Sequence, residues 1–200
     1  MYKVFGSPKT RTFRVIWMLE ELGQPYDIVP TMPRSEDAIA RNPSGKVPIL
    51  EVDGVPVTDS VAICTYLADK HGAVTHPAGS LARAHQDSVT QFIVDEIEGA
   101  LWTAAKHRFA LPEPLRVPEI KETCRSEFAV GMERLLARLG DKPFAIGETF
   151  TVPDLLAGHC SVWAANAKFD IPEGPLSAYF ARVCARPAFE KAVHVRDSVS

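Results

Sequence analysis

Between residues 6 and 15 the chain reads GSPKTRTFRV. Three hydroxyls, Ser7, Thr10 and Thr12, and the guanidinium of Arg11 stand where a short apolar run turns into a helical pattern. A hydroxyl at a helix N-terminus can donate a hydrogen bond to an anion, and the exposed N–H groups and the helix dipole add to its pull. For a thiolate the effect is chemical. A free thiol has a pKa of about 8.5, and an electropositive setting lowers it and enlarges the nucleophilic fraction near pH 7. Ser, Thr and Pro also make ordinary loop-to-helix turns, so this stretch needs companions before it counts as a site.

Two companions lie downstream. In NPSGKVPIL, Asn42 to Leu50, a Val47-Pro48 pair leads into a strand pattern. A cis bond there would turn the backbone N–H and C=O of Val47 outward, so that an extended peptide could pair with them as with a sheet edge. Lys46 is placed to reach a peptide carboxylate, or else is a solvated lysine. In TDSVAI, Thr58 to Ile63, Asp59 and Ser60 add a carboxylate and a hydroxyl at a second helix N-terminus. That pair suits the ammonium and carboxylate of an amino acid, and either residue alone would also serve as a helix cap.

The elements that must position these groups can be read from periodicity. Tyr2–Phe5 and Tyr26–Pro30 read as strands. Phe13 to Leu22 reads as a helix apolar on nearly all sides, hence buried, with Gly23 as its stop. Ser35–Arg41 reads as a short helix. Val47–Val52 and Val55–Thr58 flank Asp53-Gly54, a strong hairpin signal. Ser60 to His71 reads as a further helix. The order β-α-β-α-β-β-α predicts parallel pairing first and an antiparallel hairpin at the end. Gly72 to Ser80 has no periodicity and reads as a linker. Beyond it the pattern is helical. Val89, Ile93, Ile97 and Leu101 step by four, and Ile120, Cys124, Phe128, Met132, Leu135 and Leu139 by three and four. Pro112, Pro114 and Pro118 break the chain between the two runs. At FTVPDLLAG, Thr151 as N-cap and Asp154 at N3 predict a capping box, with Phe150 and Leu155 as its hydrophobic staple.

Composition narrows the function classes. The chain has 200 residues, 46 % hydrophobic and 24 % charged, and a net charge of −3, which suits a globular protein of one large or two small domains. The absence of a basic block argues against a nucleic-acid partner or a polybasic membrane patch. No run of eighteen apolar residues occurs, so no membrane span is expected. A strand starting at Tyr2 leaves no room for a signal peptide, which gives a cytoplasmic location as the expectation. Cys64, Cys124, Cys160 and Cys184 are widely spaced, without a CxxC, and read as reduced thiols packed as small hydrophobes. The six histidines lack ligand spacing, so no metal is expected.

Taken in order, SPKTRTFRVIWMLEELG, NPSGKVPILEVDG, TDSVAICTYLADK and FTVPDLLAG resemble cytosolic glutathione transferases of the serine or threonine type, as in bacteria and plants. The resemblance covers essentially the whole chain. It implies an α/β thioredoxin-like domain over residues 1–75, a linker over 76–80 and an all-α domain over 81–200. It implies that Val47, ahead of a cis Pro48, pairs with the cysteinyl part of glutathione. Asp59 and Ser60 would then hold the γ-glutamyl end, and Lys46 or a neighbour the glycyl carboxylate. In serine-type members the catalytic hydroxyl lies four residues before an Arg-Val pair, and Arg14-Val15 puts Thr10 there. Threonine in place of serine is a departure that keeps the donor and narrows the rotamers. A shift of the turn by two or three residues would exchange Thr10 for Thr12 or Ser7. Arg11 either sits over the thiolate or is solvated. Tyr2 comes too early for a tyrosine-type centre, and the turn has no cysteine.

The implied activity is addition of the glutathione sulfur to a small hydrophobic electrophile, with glutathione as co-substrate and no metal. The electrophile pocket is expected between the domains, walled by the turn near Thr10 and by the helix carrying Trp102, His107 and Phe109. A homodimer is implied as well. Two alternatives share the fold: a glutathione-dependent isomerase, dehalogenase or peroxidase, and a non-catalytic glutathione-binding or regulatory protein.

Overall fold

A computed structural model describes residues 1–198. The chain divides into two compact units: Met1–Ala78 together with the residues from Cys184 onward, and Gly79–Val183.

The first unit is built on four short strands, β1 (Tyr2–Phe5), β2 (Tyr26–Val29), β3 (Ile49–Val52) and β4 (Val55–Thr58), in the spatial order β2-β1-β3-β4. β1 and β2 are parallel, with Phe5 opposite Val29. β1 and β3 are antiparallel, with Phe5 opposite Ile49, and β3 and β4 form the hairpin around Asp53-Gly54, with Ile49 opposite Thr58. Helices α1 (Thr12–Glu21) and α2 (Glu36–Arg41) connect β1 to β2 and β2 to β3, and α3 (Ser60–His71) follows β4. The expected element order is therefore present, with β3 starting two residues later than the periodicity gave, after a cis Val47-Pro48 bond.

α1 is the core of this unit: Thr12 to Leu19 are all buried, and Val15, Ile16, Trp17, Met18 and Leu19 are completely enclosed. Part of that enclosure comes from the far end of the chain. α9 (Pro187–Ser198) packs on α1, with Phe189 edge-on to both Trp17 and Phe13 at centroid separations of 4.8 and 5.6 Å. Just ahead of α9, Arg186 forks onto the carboxylate of Glu21, Nε and Nη2 each 2.7 Å from an oxygen, and Glu21 also accepts from Trp17 Nε1 at 3.0 Å. The Glu21 side chain is only 5 % exposed. A bidentate guanidinium–carboxylate pair with little solvent around it is among the stronger polar contacts a protein makes. This corrects the sequence division, which gave everything after residue 81 to the helical domain. The last helix belongs to the first unit because the otherwise bare face of α1 needs its cover.

The second unit is helical. α4 (Leu81–Phe92) runs into a π-helical turn over Ile93–Glu98, then α5 (Gly99–Ala105), a second π turn over Lys106–Ala110 and a 3₁₀ turn over Glu113–Leu115. The π turn explains the spacing by four. At about 100° per residue, pure α-helix would leave Leu101 rotated roughly 120° from Val89, and one extra residue in a turn removes most of that. Val89, Ile93, Ile97 and Leu101 accordingly share one buried stripe. α6 (Ile120–Leu139) lies against this turn so closely that a Cβ on Gly131 would come 3.1 Å from the Glu96 carbonyl oxygen.

α7 (Val152–Ala167) and α8 (Pro175–Cys184) complete the helices of this region. The capping signal at the start of α7 has a wider role than a cap. The enclosed Asp154 carboxylate accepts from the N–H groups of Ala145 (2.7 Å) and Thr151 (2.8 Å) and from the hydroxyls of Tyr179 (2.8 Å) and Thr151 (3.1 Å). Burial pushes its pKa up, and the four donated bonds pull it back. Phe150 and Leu155 are buried beside it as the staple requires. Among the described residues no helix is long and apolar enough to cross a membrane.

Two outcomes follow from this packing. Asp154→Ala strips the acceptor from four buried donors, and chemical denaturation should show a loss of about 3 kcal/mol or more. The same assay on Glu173→Ala, an exposed acid, should move by less than about 0.5 kcal/mol. Among the described residues, none of the four cysteines forms a disulfide; three are buried and Cys184 is half-buried. A thiol probe followed by mass spectrometry should therefore label Cys184 first in the native protein, and Cys64 only on unfolding.

Candidate functional site

The register of the sheet brings three loops to one place. Phe5 ends β1, Ile49 begins β3 and Thr58 ends β4, and these three are cross-strand neighbours. The hydroxyl turn after β1, the Lys46–Pro48 stretch before β3 and the Asp59 turn after β4 therefore leave the sheet at the same end. The sequence pieces that seemed to need one another are brought together by strand pairing alone.

At the first loop, three successive tight turns lead into α1: Thr10 N–H donates to the Ser7 carbonyl, Phe13 N–H to Thr10 and Arg14 N–H to Arg11, at 3.0, 3.0 and 3.1 Å. Arg11 takes the N-cap position of α1 without capping it through its side chain. Thr10, half-buried, donates its hydroxyl proton to the Ser7 carbonyl at 2.8 Å, accepts from the Thr12 N–H at 3.3 Å and lies 3.0 Å from Thr12 Oγ1. Ser7 Oγ accepts from the Lys9 N–H at 3.3 Å. Thr12 is 0 % exposed. That burial separates the three hydroxyls: Thr12 stands behind Thr10 and cannot itself meet a ligand, whereas Thr10 and Ser7 reach the surface.

The second loop is fixed by Asn42, whose side chain donates to the Lys46 carbonyl at 2.9 Å and accepts from Ser44 Oγ at 2.8 Å. Lys46 is exposed and Val47 half-buried. Neither the N–H nor the C=O of Val47 is bonded to another backbone group among the described residues, which leaves both for an incoming strand. The first two loops touch at Gly6. A Cβ built there, at φ +137°, would lie 2.3 Å from Thr12 Oγ1 and 3.1 Å from Val47 Cβ. No other residue fits between them.

At the third loop Asp59 has φ 73° and ψ 126°, a strained backbone for a residue with a side chain. Its Oδ1 caps α3 by accepting from the N–H groups of Val61 (2.9 Å) and Ala62 (3.1 Å), and the residue remains exposed. Ser60 is only 2 % exposed, and its hydroxyl oxygen accepts from Arg14 Nη1 at 3.3 Å. Arg14, in the middle of the α1 core and completely enclosed, is the contributor that sequence reading passed over as a mere marker of register. The signal was there: a guanidinium within an apolar helix must bring buried acceptors to it. Close by, burial pushes the Cys64 thiol up to about 12, the Arg14 charge opposing and the Asp59 charge reinforcing the shift. The protein's own sulfur at this end of the sheet therefore stays protonated and unreactive.

Trp102, His107 and Phe109 lie in the helical unit. Trp102 is half-buried on α5, and His107 Nδ1 accepts from the Val117 N–H at 3.0 Å, holding the ring against the loop that follows the second π turn. Phe109 is 64 % exposed. Of the three, it is the side chain least committed to packing.

Comparison with known proteins is consistent with this geometry. Residues 10–70, which include Thr10, Val47 and the Asp59 turn, match the model of the glutathione S-transferase N-terminal domain. The chain is 26 % identical to the glutathione S-transferase GstA of Escherichia coli O157:H7 over 202 residues, covering 96 % of both proteins. It is 30 % identical to the hematopoietic prostaglandin D synthase of Gallus gallus over 161 residues, covering 77 % of this chain and 74 % of that protein. The structure of BphK, a bacterial GST solved as a ternary complex, shares the fold with a TM-score of 0.87 over 98 % of this chain and 99 % of that one, at 24 % identity. With the matched N-terminal domain and a relative 30 % identical over 77 % of this chain, the chain belongs to the glutathione transferase family.

Proposed function

We propose that the chain binds glutathione along Val47, keeps its thiol ionised through Thr10 and transfers the sulfur to a small hydrophobic electrophile. The observation that carries this reading is the position of Thr10: a surface-reaching hydroxyl at the start of α1, on the same end of the sheet as the unpaired peptide groups of Val47. The cysteinyl backbone of glutathione pairs with those groups as an added strand. Its γ-glutamyl end lies at Asp59 and Ser60, and its glycyl carboxylate is within reach of Lys46.

The chemistry asked of the protein is modest. The thiol proton leaves to solvent, the sulfur lone pair forms the bond to electrophilic carbon, and the electron pair displaced there leaves with a departing anion or is protonated after an addition. Thr10 donates to the thiolate and favours the charged form, and the N-terminal dipole of α1 acts in the same sense. Arg11, at the N-cap, adds positive charge to the turn. Trp102, His107 and Phe109 are proposed to line the electrophile site, Phe109 through its exposed ring. Ser7 is the competing donor and Thr12 is set back from both. Family membership supports a homodimer, which sedimentation would check.

Thr10→Val should lower turnover with an activated aryl halide tenfold or more, about 1.4 kcal/mol or more in the barrier. Glutathione affinity by calorimetry should stay within about twofold. Undiminished turnover in that variant would pass the role to Ser7. Asp59→Asn keeps the Oδ1 cap and removes the charge that faces the glutathione ammonium. It should weaken glutathione binding roughly tenfold while leaving the rate at saturation nearly intact. A collapse of the saturated rate with unchanged affinity would contradict this division of roles.

A further inference from the structure

Thr10 Oγ1 has one proton and two lone pairs, and the structure uses all three. The proton goes to the Ser7 carbonyl at 2.8 Å, one lone pair accepts the Thr12 N–H at 3.3 Å, and Thr12 Oγ1 lies 3.0 Å away. With the Thr10 proton already committed, the contact between the two hydroxyls has Thr12 as its donor. Thr12 has no alternative: it is completely buried, and Thr10 Oγ1 is the one side-chain hydrogen-bond partner of its hydroxyl among the described residues.

We propose that Thr12 is a positioning residue that sets the donor strength of Thr10. The inference rests on Thr10 being the group that meets the sulfur. The thiolate arrives beside the Ser7 carbonyl, and a small rotation about the Cβ–Oγ1 bond turns the Thr10 proton from that carbonyl to the sulfur. Because the rotation is small, the lone pairs of Thr10 remain directed at the N–H and O–H of Thr12. The oxygen therefore presents a proton, not a lone pair, to the anion. Two donors on that oxygen also polarise its O–H bond, as in any hydrogen-bonded chain. The bare Gly6 is what allows this arrangement, since a Cβ there would stand 2.3 Å from Thr12 Oγ1. β-Branching at Thr12 further limits its rotamers and fixes the hydroxyl in place.

The test compares the full-length wild type with Thr12→Val, Thr12→Ser, Thr10→Val and the double valine variant. It reads the pH profile of kcat/KM, the ultraviolet absorbance of bound glutathione thiolate and the glutathione affinity. Thr12→Val should move the acid limb of the profile upward by about half a pH unit or more, which is about threefold or more in kcat/KM on that limb. Affinity should stay within about twofold, and the rate on the alkaline plateau should remain near that of wild type. Thr12→Ser should restore the wild-type profile. In the Thr10→Val background the second substitution should add nothing, because Thr12 acts through Thr10.

An unchanged profile in Thr12→Val alongside a shifted one in Thr10→Val would overturn this proposal and leave the role of Thr10 standing. A full additive effect in the double variant would also overturn it, since Thr12 would then reach the sulfur by another route. An unchanged profile in Thr10→Val would remove the proposed role of Thr10, and this one with it. Should Thr12→Val fail to fold, Thr12→Ala provides the same reading, with its thermal unfolding recorded beside it.

Discussion

The first unit is organised by the narrowness of the gap at Gly6. The first strand ends there, and the chain must turn at once into a buried helix while residue 47 closes in from the neighbouring loop. A side chain at Gly6 would collide with Thr12 and crowd Val47. Because the gap is empty, the hydroxyl turn and the bare peptide groups of Val47 stand side by side on rigid supports. The strand register of Phe5, Ile49 and Thr58 then brings the Asp59 turn to the same end. A site assembled this way takes its precision from strands and helix starts, while the loops supply only its chemistry.

The polar residues inside this unit follow the same logic. Arg14 is costly to bury, yet it ties α1 to α3 by donating to Ser60. Asp59 holds an unfavourable backbone conformation while its carboxylate caps α3. Each is a local expense at a place where a ligand would need fixed donors and acceptors, which is where strain and buried charge tend to collect. In the helical unit, Asp154 collects four donors with no ligand-facing role. The contrast between Asp59, exposed and with only Oδ1 committed to its helix cap, and Asp154, enclosed and saturated, separates a carboxylate open to a ligand from one that is structural.

Features governed by local chemistry were legible in the sequence. The Asp53-Gly54 hairpin, the acid reaching back from Asp154 to Thr151 and the buried stripe of α1 all depend on residues within a few positions of one another. Even the spacing by four in Val89, Ile93, Ile97 and Leu101 carried the trace of the π turn, though only the structure gave it a meaning. What could not be read were contacts between distant parts of the chain. Periodicity does not say that α9 returns to α1, because Phe189 and Trp17 look apolar wherever they pack. Nor does it say which hydroxyl of Ser7, Thr10 and Thr12 is enclosed, since burial of Thr12 depends on Val47 and Gly6 as well as on its own helix. The place of Arg14 was missed for the same reason: its acceptor lies forty-six residues away.

The return of α9 bears on how the protein is made. The cover of α1 is supplied by residues that leave the ribosome only after the whole helical unit has been synthesised. Until then Phe13 and Trp17 lack a partner that the finished chain gives them, and the nascent first unit has an apolar surface still open. The helical segment, contiguous in sequence from Gly79 to Val183, has no such wait. Translation therefore makes the second-born unit the first to have all its parts, and the first unit is closed only by α9.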